Sequence, residues 1–276
     1  MTAEGVESHA GPTPEQQRQA RLALVLALLL FAAVLAVLRV VVELDILDAI
    51  LGAVLLGGAP GLAVAQVPLA ASVPFERGPA YRSSIVSLWL VGSACWLVGT
   101  RDGGAAAIGL TSVAVVPFVL WTAAATAVSI GIMFVFRRIQ IALRLPDTRL
   151  LSELLPKTRS ERRTFGVLSF AAGVGEEFAY RGYAMALLGP AVGVWPSAFL
   201  TSVAFGVLHA YQGAVGIART FVVGFLFAAV YLWSGSLWTV IVAHTLLDLI
   251  AGLVLADRLT VPPEAVAVEL ATEGGV

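Results

Sequence analysis

The sequence predicts an all-α, polytopic membrane protein of about eight transmembrane helices. Three observations carry that prediction. Of 276 residues, 59% are hydrophobic and only 13% are charged, where a soluble domain has charged residues near ~25%. Mean hydropathy is +0.91. The apolar residues come in blocks, beginning with the uncharged run LALVLALLLFAAVLAVL over 22–38, and a span needs roughly 20 such residues. This composition excludes a water-soluble globule, a disordered chain, a collagen and a disulfide scaffold. Net charge is -1, so no overall basic field points to nucleic acid. Cys95 is the single cysteine and cannot form an internal disulfide.

Taken in order, residues 1–21 form a polar N-terminal tail with Glu4, Glu7 and Glu15, unlike the basic start of a cleaved signal peptide. Residues 22–136 are N-terminal membrane helices, with apolar blocks at 22–38, 49–71, 83–100 and 109–136. The block 49–71 is interrupted by Gly57-Gly58, Pro60-Gly61 and Pro68. A crossing there gives eight spans, and a re-entrant hairpin gives seven. Residues 137–164 form a basic loop containing Arg137, Arg138, Arg144, Arg149, Lys157, Arg159, Arg162 and Arg163. The positive-inside rule places such a loop in the cytoplasm. Eight spans then put both termini on the same side as this loop. Residues 165–256 form the remaining core, with blocks at 165–188, 194–211, 215–233 and 236–256, and 257–276 form a frayed tail. One lysine among 17 basic residues, with heavy Ala, Val, Leu and Gly use, suggests a GC-rich bacterial coding sequence. The location expected is therefore a bacterial cell membrane.

The chain divides by content. Charges before 137 sit at helix ends, whereas the later apolar blocks carry ionisable groups inside them. Such groups cost roughly 2.5–3.5 kcal/mol each at the bilayer centre on insertion scales and mark functional sites. Glu176, Glu177 and Arg181 lie in FGVLSFAAGVGEEFAYRGYAMALL. Glu177 and Arg181, four apart, share a helix face and can pair as a buried bridge. Glu176 is rotated by roughly 100° and has no local partner. His209 follows Phe205 by four residues, near the end of its helix. His244 and Asp248 are also four apart, either as a bridge locking one helix or as a carboxylate-oriented histidine of an active site. Three helices thus supply Glu, His, His and Asp. Such a cavity can bind a metal, relay protons or activate water.

EEFAYRG, FGVLH and HTLLD, in that order, resemble the three motifs of the CPBP family, the CAAX prenyl endopeptidases and bacteriocin-processing enzymes also called the Abi family of intramembrane glutamic proteases. The family pattern is Glu-Glu-x-x-x-Arg, Phe-x-x-x-His and His-x-x-x-Asn or Asp, and the likeness covers roughly 165–252. The resemblance implies that Glu176 acts as general base for a water that His209 helps to hold. It implies that His244 and Asp248 face the scissile carbonyl and its oxyanion, with Glu177, Arg181 and Phe205 in support. Asp248 stands where prenyl-protein enzymes have asparagine. An ionised aspartate cannot donate to an oxyanion, so it acts either protonated or by orienting a charged His244. No cofactor is expected. Zinc held by Glu176, His209 and His244 is possible in principle, although the His-Glu-x-x-His signature is missing. The expected partners are a peptide or protein substrate at the membrane and the lipid bilayer, with no nucleic acid. Two alternatives from other classes are a proton-coupled transporter and a non-catalytic immunity or scaffold protein on the same fold.

Overall fold

The computed structural model describes residues 11–70 and 72–261. Glu4, Glu7, His9 and the tail from Pro262 lie outside the described residues. Helices α1 to α5 are Pro14–Ala36, Ile46–Ala53, Ala59–Ala70, Arg77–Gly99 and Val115–Ala142. Then follow α6 (Arg149–Leu154), α7 (Arg159–Glu177), α8 (Met185–Val192) and α9 (Val194–Leu208). The last are α10 (Gly213–Ser234), α11 (Leu237–Leu253) and the short α12 (Ala256–Leu259). No strand occurs among the described residues.

Local signals start these helices. Thr13 and Gln16 form a capping box ahead of α1, with Pro14 in the first turn. Asp45 caps α2 by accepting from the amides of Leu47 and Asp48. The amide of Asp48, with Arg101 alongside, holds its carboxyl down at about 2. Thr158 and Glu161 form a second capping box at the start of α7.

Five helices are long and apolar enough to cross a membrane: Pro14–Val41, Ile46–Ala70, Arg77–Gly99, Val115–Ala142 and Ala210–Ser234. Val194–Leu208 and Leu237–Leu253 are shorter apolar helices. With the motif-bearing α7–α8, these account for the eight apolar blocks of the sequence. Side chains such as Leu22, Leu29 and Leu90 lie exposed on this surface, as lipid-facing positions require. The chain is a polytopic all-α membrane protein.

The block 49–71 does not break at its glycines and prolines. A π-helical stretch over Val54–Gly58 carries α2 directly into α3, so Ile46–Ala70 runs as one helix of 25 residues. A π turn absorbs the register shift locally while keeping the backbone bonded. The basic segment is mostly helical too: Arg137 and Arg138 lie on α5, Arg149 on α6, and Arg159, Arg162 and Arg163 on α7. It folds across one end of the bundle. Arg77 Nε donates to the Leu155 carbonyl at 3.0 Å, and Thr148 Oγ1 donates to the Tyr211 carbonyl at 2.6 Å.

The site is positioned by α7, which packs between α4 and α11. Both crossings are backbone to backbone at glycines. A Cβ on Gly175 would stand 2.6 Å from the Leu88 carbonyl oxygen of α4, and one on Gly173 would stand 2.1 Å from Thr245 Oγ1 of α11. Small residues permit such close helix approach in a membrane. Helices α9 and α10 form an antiparallel pair, and α10 and α11 both pack on α5.

Candidate active site

Helix α7 ends on Glu176 and Glu177, and the π-helical stretch Phe178–Ala184 that continues it holds Arg181. Helix α9 delivers Phe205, with His209 immediately past its last residue. Helix α11 carries His244 and Asp248. The side chains converge because α7 touches α11 at Gly173, one turn before the two glutamates.

Glu177 is the hub. Its Oε1 accepts from Arg181 Nη1 at 2.8 Å and from His244 Nδ1 at 2.8 Å. The Glu177 and Arg181 side chains are 0% and 1% exposed. A charge so desolvated persists only with a partner and further hydrogen bonds. Arg181 has them: Nη2 donates to the Gly224 carbonyl of α10 at 2.8 Å. Its guanidinium also lies 4.5 Å from the centre of the Phe205 ring, a cation–π contact. The pair on one helix face predicted from spacing thus also ties α7 to α9, α10 and α11.

Because Nδ1 of His244 faces a carboxylate, that nitrogen carries a proton, and Nε2 is turned to the other acids. Nε2 lies 3.6 Å from Glu176 Oε2 and 3.9 Å from Asp248 Oδ2, both beyond hydrogen-bond length. The carboxylate that orients His244 is therefore Glu177, from another helix, and not Asp248 one turn away. Residues four apart have neighbouring Cβ atoms, but that neighbourhood does not force a short contact between their tips. The Asp248 side chain is 35% exposed, against 8% for His244 and 14% for Glu176.

Glu176 makes no side-chain hydrogen bond among the described residues. Its carboxylate is 14% exposed and faces His244. His209 stands apart: its Nδ1 donates to the Phe205 carbonyl at 2.8 Å, so in the neutral ring Nε2 is the acceptor. Among the described residues it makes no ion pair with Glu176. Its ring packs on Phe205 at 4.7 Å, and Phe205 in turn lies 6.1 Å from the His244 ring. Phe205 is the wall shared by both histidines and Arg181.

Three neighbours were not singled out from the sequence. Gly224 supplies the carbonyl for Arg181, Phe227 lies 5.5 Å from the His244 ring, and Tyr180 packs edge-on against Phe205 at 5.2 Å. The glycine interrupting the aromatic run TFVVGFLF of α10 was the one available signal. Cys95 is a buried free thiol in the apolar cluster with Ala179 and Tyr180. Among the described residues, no group of three or more His, Cys, Asp or Glu side chains is arranged to hold a metal ion.

Residues 160–250 match the family described as type II CAAX prenyl endopeptidase Rce1-like. That span contains Glu176, Glu177, Arg181, Phe205, His209, His244 and Asp248. No curated protein and no solved structure gives a significant match to the chain. Residues 160–250, which bring the two glutamates and both membrane histidines together, are thus the part of the chain that is similar to the Rce1-like CAAX prenyl endopeptidases of the CPBP family.

Proposed function

We propose that the chain is an intramembrane endopeptidase in which Glu176 activates water to hydrolyse a peptide bond of a membrane-associated substrate. The observation that carries this reading is the inequality of the two adjacent glutamates. Glu177 is bonded to Arg181 and His244 through one oxygen, while Glu176 faces the same histidine at 3.6 Å and makes no side-chain hydrogen bond among the described residues. One carboxylate is structural and the other is available.

Glu176 takes a proton from water as the oxygen attacks the scissile carbonyl, and passes it to the leaving amine as the bond breaks. His209, with Nδ1 bonded to Phe205, offers Nε2 to the same water. His244 acts as an imidazolium: Nδ1–H is held by Glu177, and Nε2–H donates to the developing oxyanion. Asp248, ionised, balances that imidazolium from 3.9 Å and does not itself donate. No metal takes part in this scheme. The basic end of the bundle, with both termini, lies in the cytoplasm, and the substrate reaches the site from there.

The test uses purified full-length protein in lipid nanodiscs, a membrane-anchored peptide library and mass spectrometry of the products. Cleavage is expected from the parent and none from Glu176→Gln, which keeps the volume and removes the base. A Glu176→Gln variant that cleaves at the parental rate would remove Glu176 from the chemistry. A transporter or a silent scaffold would yield no products from either protein.

A further inference from the structure

Two arginines are buried in the membrane helices of this domain, and they are solvated differently. Arg181 has a carboxylate, a backbone carbonyl and an aromatic face. Arg219 is 7% exposed, on α10 six residues past Gly213, roughly 9 Å from that helix end at 1.5 Å per residue. Its hydrogen-bond partner is neutral: Nη2 donates to Gln212 Oε1 at 2.9 Å. Among the described residues no carboxylate pairs with it. Asp147, whose charge bears on it, has its oxygens bonded to Gln140 Nε2 at 3.0 Å and to the Val261 amide at 2.6 Å. A guanidinium has five N–H donors, and a desolvated cation held by one amide oxygen is an unbalanced arrangement.

A continuous path joins this cation to the reactive groups. The His209 and Tyr211 rings lie 5.8 Å apart, Gln212 Nε2 donates to Tyr211 Oη at 3.1 Å, and Gln212 Oε1 meets Arg219. Gln212 folds over Gly216, where a Cβ would stand 2.2 Å from Gln212 Cβ. That fold presents the carboxamide to the guanidinium.

We propose that Arg219, with Gln212, binds a carboxylate carried by the peptide substrate, either its C-terminus or an acidic side chain. This names a substrate feature for the peptidase described above and rests on that reading. A carboxylate matches the planar guanidinium fork and supplies the charge that Gln212 lacks.

The test is a binding measurement, independent of turnover. Full-length Glu176→Gln protein in nanodiscs is titrated with acetyl-pentaalanine bearing a free C-terminus, with its amide, and with an amidated peptide containing one internal glutamate. At least one carboxylate peptide should bind roughly 10-fold or more tightly than the neutral amide, the scale of a charge-assisted hydrogen bond. Which one does so identifies the source of the carboxylate. Arg219→Gln should erase the preference. Should that variant fail to fold, Gln212→Glu decides, because a built-in carboxylate pairs the guanidinium and must also erase the preference. Equal binding of all three peptides, or a preference that survives either substitution, overturns the proposal. Carboxylate-selective binding by a chain that hydrolyses nothing would leave this site standing and remove the peptidase reading.

Discussion

Glu177→Gln tests the hub most directly. The substitution keeps the shape and removes the charge that Arg181 and His244 share through Oε1, both at 2.8 Å. Arg181, 1% exposed, would retain the Gly224 carbonyl and the Phe205 ring. Removing one member of a buried ion pair costs about 3–5 kcal/mol. The amide oxygen of glutamine returns a neutral hydrogen bond of about 0.5–1.5 kcal/mol. The expected net loss is therefore about 2–4 kcal/mol, read as unfolding free energy in mixed detergent. Cleavage should also fall, because Nδ1 of His244 no longer faces an anion that stabilises its imidazolium. Arg181→Met in the Glu177→Gln background supplies the control. With no unpaired cation left in the core, the double variant should be more stable than the sum of the two single losses requires. Strictly additive losses, or a Glu177→Gln protein as stable as the parent, would refute the account of Glu177 as the carboxylate that balances the buried Arg181 charge.

Other consequences can be checked separately. Glu176→Gln should abolish cleavage while leaving the unfolding midpoint nearly unchanged, because Glu176 makes no side-chain hydrogen bond among the described residues; a large drop in stability would give it a structural role. Activity should survive phenanthroline and dialysis against EDTA, and loss on chelation with rescue by zinc would overturn the metal-free scheme. Cysteines introduced by Arg149→Cys and Asp257→Cys, in a Cys95→Ser background, should react with an impermeant thiol reagent only from the cytoplasmic side. Labelling from outside intact cells would invert the topology. At the start of α7, the Thr158 and Lys157 amides hold the Glu161 carboxyl below its ordinary 4.5. Its contribution is present above that ordinary value and is lost as pH falls through the lowered one. Hydrogen exchange of the first α7 turn should therefore accelerate on acidification in the parent but not in Glu161→Gln; identical pH profiles would remove this role of the cap.

What the sequence determined on its own is local or compositional. Apolar blocks long enough to span a bilayer must be helical, because a backbone in lipid has to satisfy its own hydrogen bonds. The pairing of Glu177 with Arg181 was legible because residues four apart on a helix meet whatever surrounds them. The position of His209 at a helix end was legible because the apolar block 194–211 runs out there. The glycines and prolines of 49–71 left a crossing and a re-entrant hairpin both open, because residue identity does not reveal whether a helix ends at a glycine–proline run or slips through it by a π turn; the crossing favoured by the charge rule agrees with the single helix Ile46–Ala70. Only the tertiary structure decided that Glu177, rather than Asp248, orients His244. It also decided that Phe205 walls both histidines, and that Arg219 lies buried beside Gln212, with no carboxylate paired to it among the described residues. Each of these depends on where two helices cross, and at α7 that crossing is set by Gly173 and Gly175 against α11 and α4. Helical periodicity states which side chains share a face. It does not state which face of another helix that side will meet, or at what depth, and those two quantities separate one glutamate from its neighbour.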